Sequence, residues 1–203
     1  MDRPKSLGNP QAQAERRAAL GEPHVAPLTD FVERLRARMG PEYAVPYFDP
    51  WDGGVAARLL YLLEAPGPKA VGSGFVSRNN PDETAKNFFL LNQEAGIDRR
   101  LTVTWNAVPW YIGDGRRIRA ARGADLAAGL ASLGELLGLL PRLEVVVFVG
   151  RKAASLRERV LELAPALRDF EMPHPSPMFV NRAAGNRERI CAALREVRAA
   201  LGA

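Results

Sequence analysis

The stretch "MPHPSPMFVNR" holds His174, one of only two histidines in 203 residues. Pro173, Pro175 and Pro177 alternate with His174 and Ser176, and an apolar tip follows, Met178-Phe179-Val180. Each proline fixes φ and removes an N–H, so the segment is stiff. An imidazole held there can donate to an oxygen that gains negative charge as a leaving group departs. Asn106, in "TWNAVPWY", is a second candidate, because an amide donates and accepts at once and can read the polar edge of a base. Phe75, in "GSGFVSR", is a third, with a ring face that can stack on a base. Together these types suit a pocket that receives a base taken out of its stack.

Other chemistries lack their signatures. There is no GxxxxGK[ST] phosphate loop, no GxGxxG after a strand and no GxSxG elbow. The single cysteine, Cys191, excludes an intrachain disulfide and any multi-cysteine zinc or iron–sulfur site. Its setting, "RERICAALREV", reads as the inner face of a helix. No metal or cofactor is expected. Lysine and arginine number 28 against 23 acidic residues, a formal net charge of +5. That balance permits a polyanionic partner, and arginine suits phosphate better than lysine does.

The elements that must hold these residues alternate along the chain. The first strand lies in "ARLLYLLEAPGP", nearly continuous in apolar residues, as a strand covered on both faces should be. The second lies in "LTVTWNAVPWY" and ends near Asn106; the third is "LEVVVFVG", and the fourth, short, is "LRDFEMPHP". Helices are expected between them. "PLTDFVERLRARMG" takes Asp30 as N-cap and Glu33 to close a capping box. "NNPDETAKNFFLLNQEAG" takes Asn80 as N-cap, Pro81 at the first helical position and Gly96 as terminator. "LAAGLASLGELLGLLP" sets Leu126, Leu130, Leu133, Leu137 and Leu140 on one stripe. "RKAASLRERVLEL" and "NRERICAALREVRAAL" complete the set, and "KAVGSGFVSR" and "PYFDPWDGG" read as loops.

This alternation predicts an α/β fold, a three-layer α/β/α arrangement around a four-stranded parallel sheet. Functional loops then lie at the carboxyl ends of the strands: "EAPGP", "WNAVPWY" and "HPSP". One domain over residues 1–203 is expected, with residues 1–25 as an N-terminal arm. The N-terminus lacks a signal-type apolar run and no segment is apolar enough to span a membrane. A cytoplasmic monomer is expected.

Three motifs in order carry a family resemblance. "LEAPGP", "TWNAVPW" and "HPSPMFVNR", with "VVVFVGRKAA" between the last two, resemble the uracil-DNA glycosylase superfamily over roughly residues 45–200. The resemblance implies that fold, DNA as partner, and hydrolysis of the N-glycosidic bond of uracil or a related deaminated base. It places Phe75 on the uracil ring and Asn106 on its polar edge, where cytosine would be rejected. It gives His174 the oxygen that becomes anionic. Ser176 and the backbone at Gly67 and Pro177 would hold phosphates. Met178 and Phe179 would fill the gap left by the flipped nucleotide.

The sequence also departs from that family. The first-motif slot that often holds a water-positioning Asp or Asn is here Ala65, next to Glu64. The branch whose motif reads most like "EAPG" carries a cluster on four cysteines, which this chain lacks. Glu64 or a loop carbonyl is expected to hold the water. In "GDGRRIR", Arg119 stands where one branch has a sugar-capturing histidine, so no stable covalent complex is expected. Arg116, Arg117, Arg119 and Arg122 are expected near the DNA backbone. Ala65 also leaves open a non-catalytic DNA- or nucleotide-binding protein of the same fold.

Overall fold

A computed structural model describes residues 2–114 and 118–202. In chain order the elements are α1 (Pro10–Ala18), α2 (Ala26–Met39), β1 (Tyr47–Phe48), β2 (Leu59–Leu63), α3 (Pro68–Ser73) and β3 (Phe75–Val76). Next come α4 (Glu83–Ala95), β4 (Thr102–Asn106), α5 (Gly123–Gly138), β5 (Val145–Val149), α6 (Arg151–Ala154) and α7 (Arg157–Leu163). The chain closes with β6 (Arg168–Met172), α8 (Pro177–Val180) and α9 (Asn186–Leu201).

Four strands form the central sheet in the order β4-β2-β5-β6, and every neighbouring pair is parallel. The apolar runs explain this. Successive side chains point to opposite faces, so "LLYLL" and "VVVFV" can be buried only if both faces are covered. Leu60, Leu62, Val146 and Phe148 face α2 and α5 in one core. Leu59, Tyr61, Val145, Val147 and Val149 face α4 and α9 in the other. Cys191 is buried in that second core, as its helical setting predicts.

Two helix starts differ from the sequence reading. α2 begins at Ala26, with Val25 at the N-cap and no side-chain cap. Pro27, with its φ already helical, sits in the first turn and moves the start ahead of Asp30. In α4 the N-cap is Asp82, whose carboxylate accepts the Ala85 N–H at 2.9 Å. Asn80 is instead spent inside the loop, donating to the Phe75 carbonyl at 2.9 Å and accepting the Ser73 hydroxyl at 2.7 Å. Gly96 ends α4 with φ 71°. The segments read as loops contain α3 and a second parallel pair, β1 with β3.

The N-terminal residues are built into the molecule. The Leu7 side chain is fully buried and its N–H donates to the Asn79 carbonyl at 3.0 Å. Arg16, on α1, is also fully buried; its Nε donates to Asp49 at 2.7 Å and its guanidinium lies 3.0 Å from the Trp51 ring centre. Arg99 joins the same cluster, donating to Asp49, Asp52 and Asn79 at 2.7–2.8 Å. No described helix is long and apolar enough to cross a membrane.

Candidate active site

A cavity of about 660 Å³ opens at the carboxyl ends of β2, β4 and β6. From β2 the chain moves to β4 on one side of the sheet, then crosses back past β2 to β5 on the other. Such a switch point is where open α/β sheets bind ligands. Glu64, Ala65 and Gly67 line the cavity from the turn after β2, Asn106 from the last position of β4, and His174 from the turn after β6. Arg119 forms part of the same wall.

Asn106 is 3% exposed, and its Nδ2 has no hydrogen-bond partner among the described residues. An unpaired buried amide is costly, on the order of 1–3 kcal/mol, and its presence in a cavity wall marks a place for a ligand's acceptor. Two residues back on the same strand face, Thr104 also lines the cavity, its hydroxyl without a partner among the described residues.

His174 is held by its surroundings. Gly150 follows β5 with φ 83°, and a Cβ there would stand 3.3 Å from the His174 Cβ. The Asn87 amide donates to the Pro175 carbonyl at 3.0 Å and ties α4 to the proline-rich turn. Burial depresses the His174 pKa below its ordinary 6.5, while the Glu64 and Asp82 carboxylates oppose that shift without reversing it. The imidazole is therefore neutral at neutral pH, with one N–H to donate and no charge for the cavity to solvate.

Glu64 is half-buried, and one carboxylate oxygen accepts the Ala121 N–H at 2.7 Å. Its backbone carbonyl accepts the Val108 N–H at 2.9 Å, which locks the first-motif turn to the segment after Asn106. Ala65 brings no polar side chain to the wall. Arg119 is paired through both terminal nitrogens with Asp125, at 2.6 and 2.8 Å. That pairing pulls the Asp125 carboxyl down to about 2.

Phe75 is not brought to the cavity. Its ring is fully buried and tilts against Tyr47 at 6.2 Å, while the next residues, Val76 and Ser77, line the wall. Pairing of β3 with β1 turns the ring to that buried side. The aromatic side chain lining the cavity is Phe88, on α4, held edge-on to Tyr61 at 4.7 Å.

Ser176, Pro177, Met178 and Phe179 stand beside the cavity rather than in its wall. Ser176 caps α8, its hydroxyl oxygen accepting the Phe179 N–H at 3.3 Å. Met178 is 80% exposed, whereas Phe179 packs inward on the second core. The tip therefore divides into a protruding residue and its foot. Arg116 and Arg117 lie outside the described residues.

Sequence reasoning missed Thr104, Phe88, Asp82, Gly150 and Arg78. Thr104 was within reach, because position i−2 from Asn106 shares its strand face. Arg78 carried no signal: a lone arginine in a turn-rich loop reads as surface, yet it is 4% exposed and lines the cavity. Among the described residues no group of His, Cys, Asp and Glu could hold a metal ion.

A polar-floored cavity at the switch point of a parallel α/β/α sheet defines a class of ligand-binding α/β protein. The sequence places the chain within that class: it matches the Uracil DNA glycosylase superfamily over residues 50–198, and the chain belongs to that superfamily. No curated protein matches the sequence. Among solved structures, the chain is similar to a candidate uracil DNA glycosylase from Methanosarcina acetivorans, determined in solution by NMR. The identity is 14%, the TM-score 0.46, and the alignment covers 71% of this chain and 92% of that one.

Proposed function

We propose that the protein is a monofunctional DNA glycosylase that hydrolyses the N-glycosidic bond of uracil or a related deaminated base in DNA. The observation that carries this reading is the unpaired, buried Asn106 amide in the same cavity wall as a neutral His174. The Asn106 Nδ2 donates to a base carbonyl and its Oδ1 accepts the adjacent ring N–H, a pattern that cytosine inverts. As the bond to the sugar breaks, its electron pair passes to the base. The negative charge gathers on a base oxygen, where the His174 N–H donates. Water adds to the sugar carbon and loses a proton, leaving free base and an abasic site.

The second carboxylate oxygen of Glu64 is the group we assign to the attacking water, since Ala65 has nothing to offer. Ser176, Pro177 and the backbone at Gly67 are assigned to phosphates, Met178 to the gap in the duplex and Phe179 to its support. Arg119 serves the DNA backbone only by exchanging its Asp125 partner for a phosphate. The Phe75 ring has no base to stack on in this arrangement; its part is to support the Val76–Ser77 wall from behind.

Excision of uracil from an end-labelled duplex under single-turnover conditions, followed by alkali, tests the proposal. The parent should cleave. His174→Ala should slow excision by roughly 10²–10³-fold, the usual loss for one oxyanion donor. Asn106→Ala should slow uracil excision and narrow the uracil-over-cytosine margin. Ala65 favours a second reading, a base-binding protein that does not cut. Tight binding with no strand break at excess protein would establish that reading and end the first.

A further inference from the structure

The turn that carries His174 is short of hydrogen-bond donors. Pro173, Pro175 and Pro177 have no N–H, and β6 ends at Met172, so the sheet ladder does not reach the imidazole. The Gly150 N–H donates to the Met172 carbonyl at 2.9 Å, and beyond the turn the backbone bonds resume at the Ser176 carbonyl, which accepts the Phe179 and Val180 N–H groups. Between those points, among the described residues, the one hydrogen bond to the backbone comes from a side chain. Asn87 Nδ2 donates to the Pro175 carbonyl at 3.0 Å.

Asn87 is the fifth residue of α4. Asparagine is a weak helix former, so its presence there does not serve the helix. Its neighbours on that helix, Thr84, Ala85 and Phe88, line the cavity, as does the N-cap Asp82. One element therefore builds a cavity wall and grips the turn that brings His174 to the cavity. A stiff segment shifts as a unit, so whatever sets the Pro175 carbonyl also sets the imidazole one residue before it. The DNA-facing end of the same turn has its own fastening: Asn186, at the start of α9, donates to the Phe179 carbonyl at 2.7 Å.

We propose that Asn87 is a positioning residue for base excision: its amide holds the Pro175 carbonyl and so keeps the His174 N–H aimed at the leaving base. The inference rests on the glycosylase reading and adds to it the group that fixes its hydrogen-bond donor. Asn186 fastens the other end, so the grip of Asn87 acts on the chemistry and not on the hold on DNA.

Asn87→Ala and Asn87→Asp are compared with the parent on a uracil duplex. Alanine suits a helix and Asp keeps the asparagine shape while losing the donor, so both variants should fold. At saturating protein the single-turnover rate of each should fall by roughly 10–100-fold, the usual consequence of a reacting group misplaced by up to about 1 Å. The Kd for the abasic product duplex should stay within about threefold. In Asn87→Ala the released imidazole meets more water, so its NMR titration midpoint should rise from the parent's value toward 6.5, opposite to the shift expected in Glu64→Gln. A parent-like rate in either variant would overturn the proposal. Equal losses of rate and binding would also overturn it, as would a slowed Asn87→Ala whose His174 midpoint has not moved. If the parent binds DNA but excises no base, the glycosylase reading falls, and a raised midpoint in Asn87→Ala still establishes that the amide holds the imidazole.

Discussion

At the scale of single residues, the cavity turns on the protonation of His174. Burial lowers its pKa, and the Glu64 and Asp82 carboxylates partly restore it. Removing one of those charges must let the burial effect prevail further. Glu64→Gln keeps an oxygen for the Ala121 N–H, so the turn should stay in place. The His174 ring resonances, followed by NMR across pH, should titrate below 6.5 in the parent and lower still in Glu64→Gln; an equal or higher midpoint in the variant would sink the electrostatic assignment. Stability carries the same sign. Above about 6.5 the imidazole is neutral in folded and unfolded chains alike, and His174 adds no pH dependence. As pH falls below that value the unfolded chain binds the proton first, so stability drops. In His174→Ala that part of the drop should vanish from the unfolding midpoint. The same Glu64→Gln variant should slow excision by roughly 10²-fold if the carboxylate holds the water.

At the scale of elements, the site is made by strand ends and by the turns that leave them. Gly150 shows how little freedom those turns have. Its φ of 83° with ψ of 166° belongs to a region that only glycine occupies readily, and an added Cβ would meet the His174 Cβ at 3.3 Å. Gly150→Ala should cost about 1–3 kcal/mol in chemical unfolding. It should also slow excision beyond that cost, because His174 must give way by a few tenths of an ångström. Unchanged excision in a destabilised variant would show that the imidazole tolerates displacement. The strands themselves were legible in the sequence, because "LLYLL" and "VVVFV" permit no solvent-facing side and so dictate a covered parallel sheet. The three turns that carry Glu64, Asn106 and His174 were legible for the same reason, as the places where apolar runs break. Helix starts were less legible. Asn80 and Asp82 are both good caps by type, and what decides between them is that Asn80 is consumed by Phe75 and Ser73, contacts formed only in the folded chain. The burial of the Phe75 ring was not legible for a related cause: which way the ring turns depends on the pairing of β3 with β1, and a two-residue strand leaves no periodic trace. Arg78 could not be found, since burial of a charge depends on partners distant in sequence, here Thr102 and Asp52.

At the scale of the whole molecule, the cavity depends on residues that precede the matched family segment. The superfamily match begins at residue 50, yet Arg16 and Asp49 form a fully buried ion pair before it. Asp49 also accepts the Ser77 hydroxyl and pairs with Arg99 at 2.8 Å, and the Asn79 carbonyl takes the Leu7 N–H. Ser77, Arg78 and Asn80 line the cavity. The N-terminal arm therefore clamps the back of that cavity wall. Burial alone would push the Asp49 carboxyl up; Arg99 and Arg16 together hold it below the usual range, so it stays charged and needs its partners. Arg16→Met fills a similar space but leaves Asp49 with Arg99, Ser77 and the Trp51 N–H. Breaking one partner from a buried pair costs about 3–5 kcal/mol, and the remaining arginine should keep the loss near the lower bound. The urea midpoint should fall accordingly with an unchanged slope, since the same surface is exposed on unfolding. Below that midpoint, the folded variant should bind its substrate less tightly while its single-turnover rate at saturation stays close to the parent's, because His174 and Glu64 stand outside the clamp. A loss of rate with unaltered binding would place the arm's influence on the chemistry instead. Parent-like stability would make the arm an attachment to the fold rather than a part of its cavity.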